Sequence, residues 1–234
     1  MNKPLGFKNY GSIPHLSNSK LGPGDHYINM GQETILTIKK RDKLDTILVF
    51  EKYDGSNVGI TKINNQIIPL NRSGYKASSS PYKLHHIFND WVYKNISIFM
   101  EMLNNGERIT GEWMAQAHSM KYDIQNMPII FFDYFNNQNQ RLLYDNLNEK
   151  CNKFDLPIVR LLHRGDSIKT DNLLDKLNEK TSYMKSVENP EGMVYRVERK
   201  NKVDFLAKWV RSNYQPGKLI INKKDKDFIW NWSI

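Results

Sequence analysis

The chain has 234 residues, 39% of them hydrophobic and 25% charged, which suits one large domain or two small ones with a sizeable core. Thirty-four basic against 25 acidic residues give a net charge of +9, a surplus that favours polyanionic partners. No apolar run is long enough to span a bilayer, and the start Met1-Asn2-Lys3-Pro4 lacks the apolar stretch of a signal peptide, so a cytoplasmic protein is expected.

Residues 1–33 are rich in Gly, Pro, Ser and Asn and predict an irregular arm packed on a domain of residues 34–234. From Glu33 to Ile63, β-branched and aromatic runs predict three strands, including a buried one at Thr46–Phe50 and the last at Val58–Ile63. Asn64-Asn65 then turns the chain into a strand at Gln66–Asn71. Leu84, Ile87, Phe88, Trp91, Val92, Ile96 and Phe99 recur every three or four residues, which predicts one amphipathic helix over Lys83–Asn104. Strands follow at Arg108–Met114 and Pro128–Phe135, and helices at Asn139–Asn152 and Thr170–Lys180. Near the end, Met193–Val197 reads as a strand with Val203–Lys208 as its antiparallel partner. The fold class is α+β: antiparallel sheets flanked by helices.

Cys151 is the single cysteine, which excludes an internal disulfide and a multi-cysteine zinc site. Its polar surroundings, Asn148 to Lys153, argue against a catalytic thiol. The basic clusters Lys39-Lys40-Arg41, Arg196 with Arg199, Lys200 and Lys202, and Lys223-Lys224 with Lys226 each read as solvated surface when taken singly.

The most informative run is Glu51-Lys52-Tyr53-Asp54-Gly55-Ser56-Asn57. It puts a lysine at the mouth of a core strand, where burial can lower the pKa and free the amine to act as a nucleophile. Taken alone, the run fits an ordinary β-hairpin with a solvated lysine equally well. Further elements follow in order: Asn71-Arg72-Ser73-Gly74, Gly111-Glu112-Trp113, Phe131-Phe132-Asp133, Glu191-Gly192 through Arg196, and Ala207-Lys208-Trp209-Val210-Arg211.

With these in place the sequence resembles the covalent nucleotidyltransferase superfamily, which includes ATP-dependent ligases and mRNA capping enzymes. Lys52-x-Asp54-Gly55 matches its motif I, Arg72 motif Ia, Glu112 motif III, Phe132 motif IIIa, Glu191 motif IV and Lys208 motif V. Asn57 stands where DNA ligases and capping enzymes usually carry Arg, which is similar to the RNA ligase branch. Ser12-Ile13-Pro14-His15 with Gly22 to His26, and His118-Ser119 with Tyr122, resemble RNA ligase domain proteins of bacteria, phages and large viruses. The likeness runs from about residue 10 to residue 214. It departs at motif V, which usually has two lysines one residue apart: positions 206 and 210 hold Leu and Val, and Arg196 or Arg211 is left to supply the missing charge.

The resemblance implies an ATP-dependent RNA ligase with the ligase adenylation-domain fold, and an end of chain too short for an OB-fold. Lys52 would attack the α-phosphate of ATP and carry AMP, with Lys208 and Glu191 as its catalytic partners and neighbouring cations lowering its pKa. Arg72, Lys208, Arg196, Arg211 and Asn57 would hold phosphates, Glu112 the ribose, Phe132 the adenine face and Glu51 the base edge, with Tyr53 also in the nucleotide site. Glu191 would also serve a Mg²⁺ or Mn²⁺ ion held mainly through water. The partners implied are RNA ends or a nicked duplex, no membrane, and a monomer working alone or with a partner protein. Two rivals are a minimal ATP-dependent DNA ligase and a non-catalytic nucleotide- or RNA-binding module. Trp113 and Trp209 read as core residues, and His118 as a structural histidine.

Overall fold

Strand β1 (Asp45–Lys52) is the spine of the molecule. In the computed structural model, which describes residues 2–179, 185–186, 188–221 and 227–232, it is buried on both faces. Ile47 and Val49 point into one core with Leu36, Leu162, Tyr195 and Val197, while Leu48 and Phe50 point into another with Met114, Tyr122 and Ile130. An apolar run that does not alternate is what two covered faces require. The basic cluster at 223–226 lies outside the described residues.

Two four-stranded antiparallel sheets are built around this spine. In the first, β1 lies between β9 (Gly192–Arg199) and β7 (Leu161–Gly165), with β10 (Lys202–Val210) beyond β9. In the second, β2 (Ser56–Ile63) pairs with β3 (Gln66–Asn71) and β4 (Arg108–Trp113), and β6 (Ile129–Phe135) completes the order. A small pair, β5 (Tyr122–Asp123) with β8 (Lys185–Ser186), stands apart. Since β1 and β2 never pair with each other, the hairpin reading of residues 51–57 falls: Tyr53 to Gly55 is a bridge from one sheet to the other.

The α+β expectation holds, as do the strands foreseen around 46–50, 58–63, 66–71, 108–114, 128–135 and 193–208. The strand foreseen after Glu33 is instead α1 (Met30–Thr37). Asn29 caps it by accepting from the Gln32 N–H at 2.8 Å, and Leu36 alone of its side chains is fully buried, so one anchored turn outweighs a weak β-branched signal. The long helix divides into α2 (Lys83–Lys94) and α3 (Ile96–Met102) at Asn95, whose φ of −111° leaves the helical range. Leu84, Phe88, Trp91 and Phe99 still face the outer side of the second sheet, against Ile60, Ile109 and Phe131. The helix foreseen from Asn139 starts only at Tyr144, as α4 (Tyr144–Lys153), because Asn139 sits in a turn at φ 60°. Thr170–Leu173 is a 3₁₀ turn leading into α5 (Leu174–Asn178). Strand β7 went unforeseen: Leu161-Leu162-His163-Arg164-Gly165 carries only two apolar residues and is defined by its pairing with β1.

The arm is irregular but tied down along its length. Its backbone runs beside β10, with Lys208 N–H donating to the Pro14 carbonyl at 2.9 Å and Leu16 N–H to the Lys208 carbonyl at 2.9 Å. Among the described residues no helix is long and apolar enough to cross a membrane.

Candidate active site

The two sheets face each other across a cleft of about 550 Å³, and each strand end contributes side chains to it. The first sheet supplies Phe50, Glu51 and Lys52 from β1, Val194 and Arg196 from β9, and Leu206 and Lys208 from β10. The second supplies Ser56 and Asn57 from β2, Asn71 from β3, Glu112 from β4, and Phe132 and Asp133 from β6. Of the residues singled out in the sequence, Glu51, Lys52, Tyr53, Asn57, Arg72, Glu112, Phe132, Arg196 and Lys208 therefore share one cavity.

Lys52 sits where β1 leaves its sheet. The bridge that follows requires glycine at 55, since a Cβ there would lie 2.5 Å from the Trp113 carbonyl oxygen. Asp54 is buried and fully engaged: it accepts from the N–H groups of Ser119 and Met120 at 2.7 and 3.0 Å and from the Tyr214 hydroxyl at 2.7 Å. The Gly55 N–H donates to Glu112 at 3.1 Å. The turn is thus held from three directions, and the Lys52 side chain, a quarter exposed, projects from a fixed base.

Its Nζ donates to Glu191 Oε2 at 2.9 Å. Burial works against the ammonium, but Glu191, Glu112 and Asp54 outweigh it, and the pKa is raised. This corrects the expectation that neighbouring cations favour a neutral amine: carboxylates dominate here. Burial in turn pushes Glu191 up to about 7 and Glu112 up to about 8, in each case against the pull of Lys52. Burial holds Lys208 below its ordinary value; Asp25 opposes that shift and Lys52 adds to it.

Phe132 is half-open to the cavity, unlike its fully buried neighbour Phe131, and the edge of Tyr10 meets it at 5.2 Å between ring centroids. Glu51 lies behind, buried and 3.5 Å from Arg160, with a carboxyl that burial pushes up to about 7. Asn57 accepts from Asn9 at 3.3 Å, and Arg72 stands at the rim, 3.4 Å from the Ser12 hydroxyl.

The two arginines nominated for the missing motif V charge are placed differently. Arg196 lines the cleft but is 1% exposed, its guanidinium held by Asp133 at 2.8 Å, Glu198 at 2.9 Å and the Leu142 carbonyl. Arg211 lies outside the cleft, donating to the Pro190 carbonyl at 2.7 Å and to the Asn178 side chain, beside a separate cavity. Trp113 and Trp209 are buried in cores as expected. His118 stays near the Ser56 hydroxyl at 3.4 Å. Cys151 is fully buried, with its thiol pushed up to about 12.

Sequence reasoning missed Tyr10, and it quoted Asp133, His15 and Asp25 within its motifs without giving them a role. Tyr10 and Arg141 join Arg196 around the buried Asp133, at 2.5, 2.8 and 2.8 Å. Tyr10 comes from the arm, where no periodicity marks it, and Asp133 reads in sequence as a turn former.

Among the described residues no cluster of three or more His, Cys, Asp and Glu side chains could hold a metal ion alone. One buried carboxyl, Glu191, and one half-buried one, Glu112, beside one ammonium do fit a cation that keeps most of its waters and is shared with phosphate. That donor set suits Mg²⁺ or Mn²⁺, not a protein cage.

A family model described as RNA ligase matches residues 45–210. An uncharacterised protein of Methanocaldococcus jannaschii is 26% identical over 151 residues, covering 61% of this chain and 37% of its own length. Among solved structures, a lysine-to-alanine mutant of Naegleria gruberi RNA ligase with ATP and Mn superposes with a TM-score of 0.53 at 15% identity, covering 73% of this chain and 51% of that one. A second such mutant, also with ATP and Mn, gives a TM-score of 0.52 at 15% identity over 86% of this chain and 61% of that one. These superpositions show a shared fold. The chain spans less than two thirds of the length of each of these relatives.

Proposed function

The chain belongs to the RNA ligase family, and on that footing we propose that it is an ATP-dependent RNA ligase acting through a lysine–AMP intermediate on Lys52. One observation carries the reading. The Lys52 amine, hydrogen-bonded to Glu191, opens into a cavity that also holds an aromatic face (Phe132), the carboxyl of Glu112 with its suppressed acidity, and the cations Arg72 and Lys208.

The adenine lies against Phe132, with Glu51 behind it to read the base edge, and Glu112 accepts from a ribose hydroxyl. Arg72, Asn57 and Lys208 face the phosphates, where Arg grips with two donors and Lys acts as a point charge. Only the neutral amine can attack the α-phosphorus: the P–N bond forms, the bond to pyrophosphate breaks and one N–H proton leaves with the pyrophosphate, after the Lys52 ammonium has given up its first proton. Glu191, hydrogen-bonded to Nζ and of near-neutral pKa, is placed to receive that proton. AMP then passes to the 5′-phosphate of one end, and the 3′-hydroxyl of the other displaces it. Glu191 and Glu112 would hold a divalent cation through water, and that ion supplies neutralisation of phosphate charge when bound. The excess of basic residues favours a polyanionic substrate, for which we take RNA ends or a nicked duplex, bound by a monomer in the cytoplasm.

The test is incubation with ATP labelled at the α-phosphate and a divalent ion, followed by a chase with nicked duplexes. An acid-labile label on Lys52 that leaves on adding 5′-phosphate RNA is the expected result. A label that moves equally well to all-DNA nicks would make this a DNA ligase. No label, with ATP binding retained, would make it a binding module.

A further inference from the structure

Lys208 is not left to find its own position. Its Nζ donates to Asp25 Oδ1 at 3.3 Å, and Asp25 belongs to the N-terminal arm, outside the ordered run of motifs. The other carboxylate oxygen meets His15 Nε2 at 2.9 Å and the Gly22 N–H at 3.2 Å. His15 Nδ1 lies 2.7 Å from the Ser19 hydroxyl, which accepts from the Val210 N–H at 2.8 Å.

The direction of each bond follows from the donors available. The Ser19 oxygen accepts from Val210, which leaves its own hydrogen able to turn to His15 Nδ1, and the neutral ring takes it. The ring is then neutral, with its hydrogen on Nε2, and donates to Asp25. Burial and the nearby Lys208 hold the His15 pKa below its ordinary value, which favours the neutral ring. The relay therefore begins on the backbone of β10 at Val210, passes through the arm, and returns to the same strand at the tip of Lys208.

We propose that Asp25, oriented by His15 and Ser19, is a positioning residue for Lys208, pre-setting its ammonium toward the phosphates of the incoming nucleotide. This rests on the ligase reading given above. Two observations support a role beyond stability. The carboxylate and the ammonium are 28% and 17% exposed, so the pair stands at the edge of water, where such pairs stabilise a fold little. A free lysine head must also be immobilised when its ligand arrives, and a side chain already held avoids that cost. The single lysine of motif V makes its placement matter more, because Leu206 and Val210 offer no substitute.

The experiment is a double-mutant cycle on the full chain, with saturating labelled ATP and Mg²⁺ and the rate of Lys52 labelling as readout. Asp25→Asn should slow labelling tenfold or more when Lys208 is present and less than twofold in a Lys208→Ala background. Ser19→Ala should act in the same direction with about a threefold effect, again only with Lys208 present. Where Lys208→Ala makes labelling too slow to follow, ATP affinity measured by calorimetry in a Lys52→Ala background completes the same cycle. Equal effects in both backgrounds, or no effect of Asp25→Asn at all, would overturn the positioning role. If the unsubstituted chain takes no label, the ligase reading itself falls and this inference with it.

Discussion

The two ends of β1 hold charge in opposite ways. At its start, Asp45 is fully buried yet receives the Arg41 guanidinium at 2.8 and 2.8 Å, the Arg41 N–H at 3.0 Å and Arg199 at 2.8 Å. Burial alone would raise its pKa, but those donors win and the carboxyl lies below the usual range. Seven residues on, at Lys52, the balance reverses: Glu51, Glu112 and Glu191 are pushed up to about 7, 8 and 7, because burial outweighs the few donors they have. One end has donors enough for every acceptor, and the other is short of them. Structural ion pairs and active sites both shift pKa values, and it is this direction of mismatch that separates them. The shortage at the Lys52 end is what a nucleotide and its cation would fill.

The sharpest way to break the comparison is to remove one charge from each end. Lys52→Ala should lower covalent labelling by at least about a thousandfold, since the other amine of the cavity, that of Lys208, is held by Asp25. Asp45→Asn should leave labelling within a few fold at a temperature where the variant remains folded. Retained labelling in Lys52→Ala would move the chemistry elsewhere.

The next effect is on acidity. Glu191 stabilises the charged form of Lys52, so Glu191→Gln should bring the pH midpoint for acylation of Lys52 by a small reagent downward. Glu112→Gln should do the same by less, as its contribution ranks second among the carboxylates. Peptide mass spectrometry across a pH series, without ATP or metal, reads this directly. An unmoved midpoint would mean that Glu191 does not govern the amine.

This direction was not legible in the sequence, and the reason is physical. Motif spacing identifies which residues meet, because strands β1, β4, β6, β9 and β10 are each marked by their own apolar runs and register follows from them. It does not say how many donors each carboxylate keeps once buried, so Lys52 was expected to be depressed and is raised. The arm was legible as turn-rich and as carrying two family-like runs, Ser12–His15 and Gly22–His26, but not in what those runs touch. Tyr10 reaches the cleft, and Asp25 with His15 behind it reaches Lys208, through long-range contacts that carry no periodic signal. Arg196 and Arg211 show the same limit: both fall near Lys208 in the chain, yet one is enclosed by Asp133 and Glu198 and the other turns to Pro190. The α1 error is of another kind, a cap at Asn29 overriding a short β-branched run.

Third in size is stability at the Asp45 end. Asp45→Asn leaves Arg41 and Arg199 short of a buried partner, and breaking a buried pair typically costs 3–5 kcal/mol. The two guanidinium groups are 36% and 20% exposed, so water recovers part of that and about 2 kcal/mol is expected in denaturant unfolding. Because the folded carboxyl lies below its unfolded value, this stabilisation is present above the unfolded pKa and is lost as pH falls through the folded one. The penalty of Asp45→Asn should therefore shrink toward acid.

The smallest effect tests the opposite slope at the other end. Glu51 is 2% exposed, and burial lifts its carboxyl to about 7, with Arg160, at 3.5 Å, and then Tyr53 only partly offsetting the cost. A pKa raised on folding means that the folded state binds the proton more tightly than the unfolded chain. That contribution is fully present below the unfolded value and disappears as pH rises through about 7. Glu51→Gln, which carries no charge to desolvate, should gain on the parent as pH climbs from 5 to 8, by on the order of 1–2 kcal/mol. Melting temperatures of the two proteins measured over that range give the sign. If the gap instead narrows with rising pH, Glu51 is as well supplied with donors as Asp45, and the two ends of the strand do not differ in the way their carboxylates are held.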